Sequence, residues 1–217
     1  MPNIGLLGGT FDPIHFGHLR MAQELAEALN LDEVRFIPAA NPPHKATPSI
    51  SSAHRAAMVQ LAITDNPIFK LDNRELLRTG ASYTIDTLIN LRNELGENTS
   101  LVLFMGSDAF TNFHTWHEWE KIIQLCHIAL VQRPVGTMKA PLAKVLETFL
   151  HNHYTENIDD LRETNAGYVT MQSITPLDIS STAIRTNLQN KNSARYLMPD
   201  GVLDYIKSNM LYNNRAK

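Results

Sequence analysis

The chain has 217 residues, with 19 Lys and Arg against 22 Asp and Glu and a formal net charge of −3; that length fits one domain or one domain with an embellishment. Charged residues make up only 19% of it, which excludes a nucleic-acid binder working by bulk phosphate neutralisation. The hydrophobic fraction of 43% is enough for a compact core and excludes disorder of the whole chain. Cys126, the single cysteine, makes neither an internal disulfide nor a Cys-based zinc site, which suits a reducing, cytoplasmic setting. The N-terminus lacks a basic n-region, and no stretch reaches the roughly 18 apolar residues of a membrane span, so a soluble protein without a signal peptide or membrane partner is expected.

In chain order, Asn3 to Leu7 reads as a buried strand stopping at Gly8 and Gly9, after which His18, Ala22, Leu25 and Leu29 recur at helical spacing. Val34 to Ile37 is the next strand. A loop with Pro38, Pro42, Pro43 and Pro48 leads to a helix from about Ala53 to Thr64, ended by Pro67. After a short strand at Phe69 to Leu71, Ser82-Tyr83-Thr84 opens a helix with apolar face Ile85, Leu88, Ile89 and Leu91 and a stop at Gly96. Ser100 to Met105 is apolar enough for a central parallel strand. It halts at Gly106-Ser107-Asp108. A helix carrying Trp116 and Trp119 is expected next, then a strand from Ile128 to Val131 stopped by Arg133-Pro134. Leu142 to His151 reads as helix, and the Asn/Asp/Thr-rich piece from His151 to Asn165 as a surface excursion with the least order. Tyr168 to Gln172 is a late strand, followed by helices at Ser181 to Gln189 and Gly201 to Met210.

This alternation predicts an α/β fold: a doubly wound, mostly parallel sheet with helices on both faces, residues 1–217 forming one domain whose part from about 179 is a C-terminal helical segment. Ligands of such sheets bind outside the carboxyl ends of the strands. Gly8-Gly9-Thr10, Gly106-Ser107-Asp108 and Arg133 are all expected at strand ends.

The segment Gly8-Gly9-Thr10-Phe11-Asp12-Pro13-Ile14-His15-Phe16-Gly17-His18 runs from a strand into a helix. Glycines let backbone amides approach a phosphate, and the helix start adds partial positive charge. His15 and His18, three apart, face the same side, with Gly17 leaving the approach open. The segment is neither a Walker loop nor a Gly-x-Gly-x-x-Gly fingerprint. Two histidines with no third ligand nearby do not make a zinc site, so a paired-His anion site is expected, with no metal held by the protein. A second anion site is expected at Ile179-Ser180-Ser181-Thr182-Ala183-Ile184-Arg185. Ser180 suits an N-cap, and Arg185 on the opening turns works against the helix dipole, so propensity alone does not account for it. Two anion sites imply a polyphosphate or two phosphorylated substrates. Asp12 is expected to shape the turn; Arg55 either helps with phosphate or pairs with a carboxylate. His54, His114, His117, His127, His151 and His153 show no partner pattern and read as structural or surface residues.

His-x-Gly-His after Gly-Gly-Thr-Phe-Asp-Pro, together with Ile-Ser-Ser-Thr-x-x-Arg, resembles the nucleotidyltransferase superfamily. From Met1 to about Tyr212 the chain resembles its bacterial nicotinate-nucleotide adenylyltransferase family, through Asn41-Pro42-Pro43-His44-Lys45, Ser82-Tyr83-Thr84, Gly106-Ser107-Asp108 and Thr115-Trp116. The resemblance implies a Rossmann-like fold and a reaction of ATP with nicotinate mononucleotide, Mg²⁺ arriving with ATP. It implies that His15, His18 and Arg185 act on the phosphates, and that Gly8, Gly9, Thr10, Phe11, Gly106, Asp108, Arg133, Ile179, Ser180 and Ser181 surround ATP. Asn41, His44, Lys45, Tyr83, Thr84 and Trp116 would then surround the mononucleotide, with Trp116 against its ring. Trp116 packed in the core, Lys45 solvated and Asp108 as a helix cap remain the plain alternatives. The choice between monomer and homodimer, and between nicotinate and nicotinamide acceptors, stays open.

Overall fold

The computed structural model describes residues 1–40, 48–78, 80–132 and 142–213. Six parallel strands form one sheet: β1 (Asn3–Gly9), β2 (Glu33–Pro38), β3 (Phe69–Leu71), β4 (Ser100–Gly106), β5 (His127–Gln132) and β6 (Val169–Ser173), in the order β3-β2-β1-β4-β5-β6. Side chains alternate across the sheet, as the pleat requires. Leu7, Val102, Phe104, Ala129 and Val131 enter one core, while Ile4, Leu6, Leu101, Leu103, Met105, Ile128 and Leu130 enter the other. Burial on both faces is why β4 and β5 read as continuous apolar runs.

The first core is covered by α1 (Phe16–Ala28), α2 (Ser52–Ile63), α7 (Asp160–Glu163), α8 (Ser181–Gln189) and α9 (Asp200–Ser208), through residues such as Leu25, Met58, Leu161, Ile184 and Val202. The second is covered by α3 (Thr84–Leu95), α4 (Ser107–Phe110), a 3-10 turn at Phe113–Thr115, α5 (Trp119–Leu125) and α6 (Lys144–His153). Helix ends follow local chemistry. Ser51 caps α2 by accepting the His54 amide (3.4 Å), and α3 stops at Gly96, whose φ of 73° falls in the left-handed region that glycine tolerates. No helix among the described residues is long and apolar enough to cross a membrane.

Three expectations are corrected. Ile89 is not on the packed face of α3; it is 42% exposed, and Ile85, Leu88 and Leu91 do the packing. Trp116 and Trp119 do not share a helix. The chain breaks there, with Trp116 extended and Glu118 at φ 50°, so that both indoles meet the Phe113 ring edge-on at 5.6 and 5.5 Å. Nor is the piece from His151 to Asn165 a loose excursion. The end of α6 and all of α7 lie in it, Leu161 is fully buried, and Asp160 accepts from Thr155 Oγ1 (2.5 Å) and Asn157 Nδ2 (2.9 Å). Its polar residues bond to one another, which composition alone does not reveal.

His127, at the start of β5, is fully buried; its Nε2 faces the Thr164 carbonyl (3.1 Å), and its Nδ1 accepts the Tyr168 amide (3.1 Å). Those partners fix the neutral tautomer with its proton on Nε2. Burial pulls the imidazole down from its ordinary 6.5 to about 4, against the opposing Thr164 hydrogen bond. The unfolded chain therefore binds the extra proton first. Stability is fully present above about pH 6.5 and falls as pH drops toward 4, by on the order of 3 kcal/mol. Urea midpoints measured across that window should fall more steeply for the natural chain than for His127→Gln, which has no imidazole to titrate.

Candidate active site

The strand order reverses between β1 and β4. From their carboxyl ends the chain turns into α1 on one face of the sheet and α4 on the other, which leaves a crevice at the ends of both strands. A Cβ placed on Gly8 or on Gly106 would meet nothing within 4 Å, so both strand ends face open space. Gly9 is glycine for a different reason. Its Cβ would lie 2.9 Å from the ring of Phe11, which turns under the loop with φ 49° and is 1% exposed. The Asp12–Pro13 peptide is cis.

His15 is the N-cap residue of α1, and His18 follows in the first turn. Their rings lie 3.8 Å apart between centroids, and the Phe11 ring meets His18 edge-on at 5.1 Å. His15 is 6% exposed and His18 half-buried. The pairing expected from their spacing is present, with one difference. Gly17 does more than leave an approach open, because a Cβ there would lie 3.0 Å from the His15 imidazole and 3.6 Å from the Ile179 carbonyl. Glycine lets His15 fold back over the helix start and lets the C-terminal motif close against it.

That closure is made by two hydrogen bonds. Ser181 Oγ donates to the Pro13 carbonyl (2.9 Å), and Arg185 Nη1 donates to the Asp12 carbonyl (2.7 Å). Arg185 Nη2 also reaches back to Thr182 Oγ1 (3.2 Å), turning the guanidinium toward the start of α8. Ser180 is the N-cap, its Oγ accepting the Ala183 amide (3.2 Å). The Ser181 proton is thus committed within the protein, while an arginine has five N–H donors and Arg185 commits two to these bonds.

On the other side of the crevice, Tyr83 is the N-cap residue of α3, and its ring lies 4.6 Å from that of His117. Ser82 Oγ accepts the Ala40 amide at the exit of β2 (3.2 Å). Beneath this turn Glu75, 8% exposed, accepts from Thr87 Oγ1 (2.8 Å) and from Ser82; burial raises its carboxyl above the ordinary range and those two hydrogen bonds oppose the rise. Trp116 is half-buried with its indole against the Phe113 ring, so it packs on the second core along one edge. Asp108 is exposed in the first turn of α4, whose N-cap is Gly106 with no side-chain cap, so it is not the helix cap. Asn41, His44, Lys45 and Arg133 lie outside the described residues.

Sequence reasoning leaves Arg55 between phosphate and carboxylate, but the structure bonds it to two backbone carbonyls, those of Thr10 (2.7 Å) and Ala40 (3.4 Å). Glu75 and Tyr212 were invisible to that reasoning. A lone acid in a polar stretch and a tyrosine near the chain end have no local pattern. His54 lies on the Tyr205 hydroxyl (3.0 Å) and His153 on the Gly167 carbonyl (2.8 Å), both structural contacts.

The cytidylyltransferase-like family model matches residues 6–187. The chain is 44% identical over 212 residues to the probable nicotinate-nucleotide adenylyltransferase of Dechloromonas aromatica, covering 97% of this chain and 98% of that protein. It is 46% identical over 209 residues to the protein of the same name in Hydrogenovibrio crunogenus, covering 96% and 97%. Among solved structures, the Plasmodium falciparum nicotinic acid mononucleotide adenylyltransferase complexed with NaAD shares its fold, with a TM-score of 0.70, 20% identity and 98% of each chain covered. Kinship of this extent along nearly the whole length of both relatives means that the chain belongs to the nicotinate-nucleotide adenylyltransferase family, a family of nucleotidyltransferase enzymes.

Proposed function

We propose that the protein transfers the adenylyl group of ATP to nicotinate mononucleotide, giving deamido-NAD and pyrophosphate, a step of NAD biosynthesis, and that the described residues act as one catalytic domain. The observation that carries this reading is the junction of the two end motifs. The His15–His18 pair, rings in contact and tilted to one another, and the Arg185 guanidinium are brought to one loop at the point where the sheet reverses. The names of the relatives supply the acceptor.

The acceptor phosphate is already an anion near neutral pH, so the reaction needs no general base to create the nucleophile. An acceptor phosphate oxygen forms a bond to the ATP α-phosphorus while the bond from that phosphorus to pyrophosphate breaks. The protein's task is to hold two anions in line and to stabilise charge on the α-phosphate and on the departing pyrophosphate. In this reading His15 and His18 face the triphosphate, His18 nearest the α-phosphate. Arg185, with Ser180 and the amides at the start of α8, faces the β/γ end. Gly8, Gly9, Thr10, Phe11, Gly106, Asp108, Arg133 and Ile179 surround the rest of ATP. Asn41, His44, Lys45, Tyr83, Thr84 and Trp116 surround the mononucleotide. Among the described residues no group of three His, Cys, Asp or Glu converges on a metal position, and Mg²⁺ enters as part of the substrate Mg-ATP, keeping several waters.

The reading is tested by pyrophosphate release from Mg-ATP with nicotinate mononucleotide, nicotinamide mononucleotide and phosphopantetheine offered in parallel. Preference for the nicotinate compound is expected, and turnover with phosphopantetheine alone would retain the end motifs and discard the acceptor. In the same assay His18→Ala should lower kcat by about 100-fold or more, as loss of a donor to developing charge does elsewhere. A folded variant within a few-fold of the natural enzyme would remove His18 from the reaction. Trp116→Ala should raise KM for the mononucleotide far more than KM for ATP; equal effects on the two would take Trp116 away from the ring.

A further inference from the structure

Two buried, charged side chains outside the roles assigned above tie the loop leaving β1 to the chain leaving β2. Arg55 on α2 is 1% exposed and spans the Thr10 carbonyl (2.7 Å, Nη1) and the Ala40 carbonyl (3.4 Å, Nη2). Asp12 is 5% exposed. Its Oδ2 accepts both the amide (2.9 Å) and the hydroxyl (2.7 Å) of Ser49, and its Oδ1 accepts the Tyr212 hydroxyl (2.7 Å). Ala40 and Ser49 stand on either side of residues 41–47, so one flank of that segment is linked to Thr10 through Arg55 and the other is bonded directly to Asp12.

Packing does not explain this choice of residues. An arginine taken to this depth loses its hydration, and apolar side chains of similar volume would generally fill such a space at lower cost. Burial lowers the Arg55 pKa, and the Asp12 charge opposes that through space without a direct ion pair in the described contacts. Burial also raises the Tyr212 phenol, reinforced by the bond to Asp12, so Tyr212 stays a proton donor to the carboxylate. What a guanidinium provides and an apolar side chain does not is a planar fork that holds two carbonyls on different loops at once.

We infer that Arg55 and Asp12 are positioning residues that set the separation between the two substrate sides of the crevice, with Tyr212 holding Asp12 in place. The inference rests on the adenylyl-transfer reading, in which the β1 loop serves ATP and the exit of β2 serves the acceptor. In-line transfer depends steeply on that separation, since a displacement of about 1 Å can cost on the order of 100-fold in rate. A residue that sets spacing without touching either substrate has a distinct signature. Its loss lowers kcat and leaves each KM nearly unchanged.

The test uses the full chain with Arg55→Lys, which keeps the charge and loses the fork, and Tyr212→Phe, which keeps the ring and loses only the hydroxyl. Steady-state kinetics with Mg-ATP and nicotinate mononucleotide are paired with amide hydrogen exchange on the substrate-free protein. Arg55→Lys is expected to lower kcat about tenfold or more with both KM values within about threefold, and Tyr212→Phe to act in the same sense with a smaller drop. In both variants exchange should quicken together in residues 9–15 and 48–51 while β4 and β5 keep their protection. An unchanged kcat, a loss carried by the KM of one substrate, or quickened exchange in only one of the two segments would overturn the inference. If the natural enzyme itself transferred no adenylyl group to any acceptor, the functional reading would fall, and the exchange data alone would still decide whether the brace exists.

Discussion

Two backbone carbonyls, those of Asp12 and Pro13, organise the crevice. The loop that carries them leaves β1 with its polar groups facing inward, and a buried carbonyl without a donor is costly, by about 1–3 kcal/mol. The donors come from Arg185 and Ser181, 173 and 168 positions later in the chain. Satisfying the loop therefore brings α8 against the start of α1. Gly17 permits the approach, with the Ile179 carbonyl just beyond where its side chain would have been. The positive end of α8 and the paired imidazoles then share one rim of the sheet, an arrangement neither motif produces alone.

The sheet explains why that rim lies where it does. The central strands β1, β4 and β5, buried on both faces, leave no lateral surface for a polar site, so chemistry there is pushed to the strand ends, and the reversal between β1 and β4 opens a crevice where helices diverge to opposite faces. The two sides of the crevice are built differently. The β1 side is held by backbone carbonyls and by donors from distant helices. The β2 and α3 side is held through a buried carboxyl, Glu75, which orders Ser82 and Thr87 and through Ser82 the exit of β2.

Much of this was legible in the sequence, because periodicity reports burial. All six strands and the longer helices stand within a few residues of where the alternation of apolar runs and helical spacing put them. What the sequence hid depends on contacts between distant residues. The break between Trp116 and Trp119 exists because the Phe113 ring takes both indoles edge-on, and Phe149 from another helix packs on that ring too. The order of residues 151–166 comes from bonds such as Arg162 to the Asn30 carbonyl, which no window around residue 162 contains. The end motifs read as anion sites from local chemistry, and the structure brings the two of them to one loop. Asp12 looked like an ordinary turn residue because its partners, Ser49 and Tyr212, lie far along the chain.

The Tyr212 contact also bears on how the protein is made. Its hydroxyl meets Asp12 across 200 positions of sequence, and at about 5–20 residues per second translation needs roughly 10–40 s to cover that distance. The nascent chain thus carries the β1 loop and its histidines through that interval before the Tyr212 anchor emerges from the ribosome. The β1 loop is therefore made 200 positions ahead of a residue that secures it, so this part of the crevice is completed only once Tyr212 is free to fold.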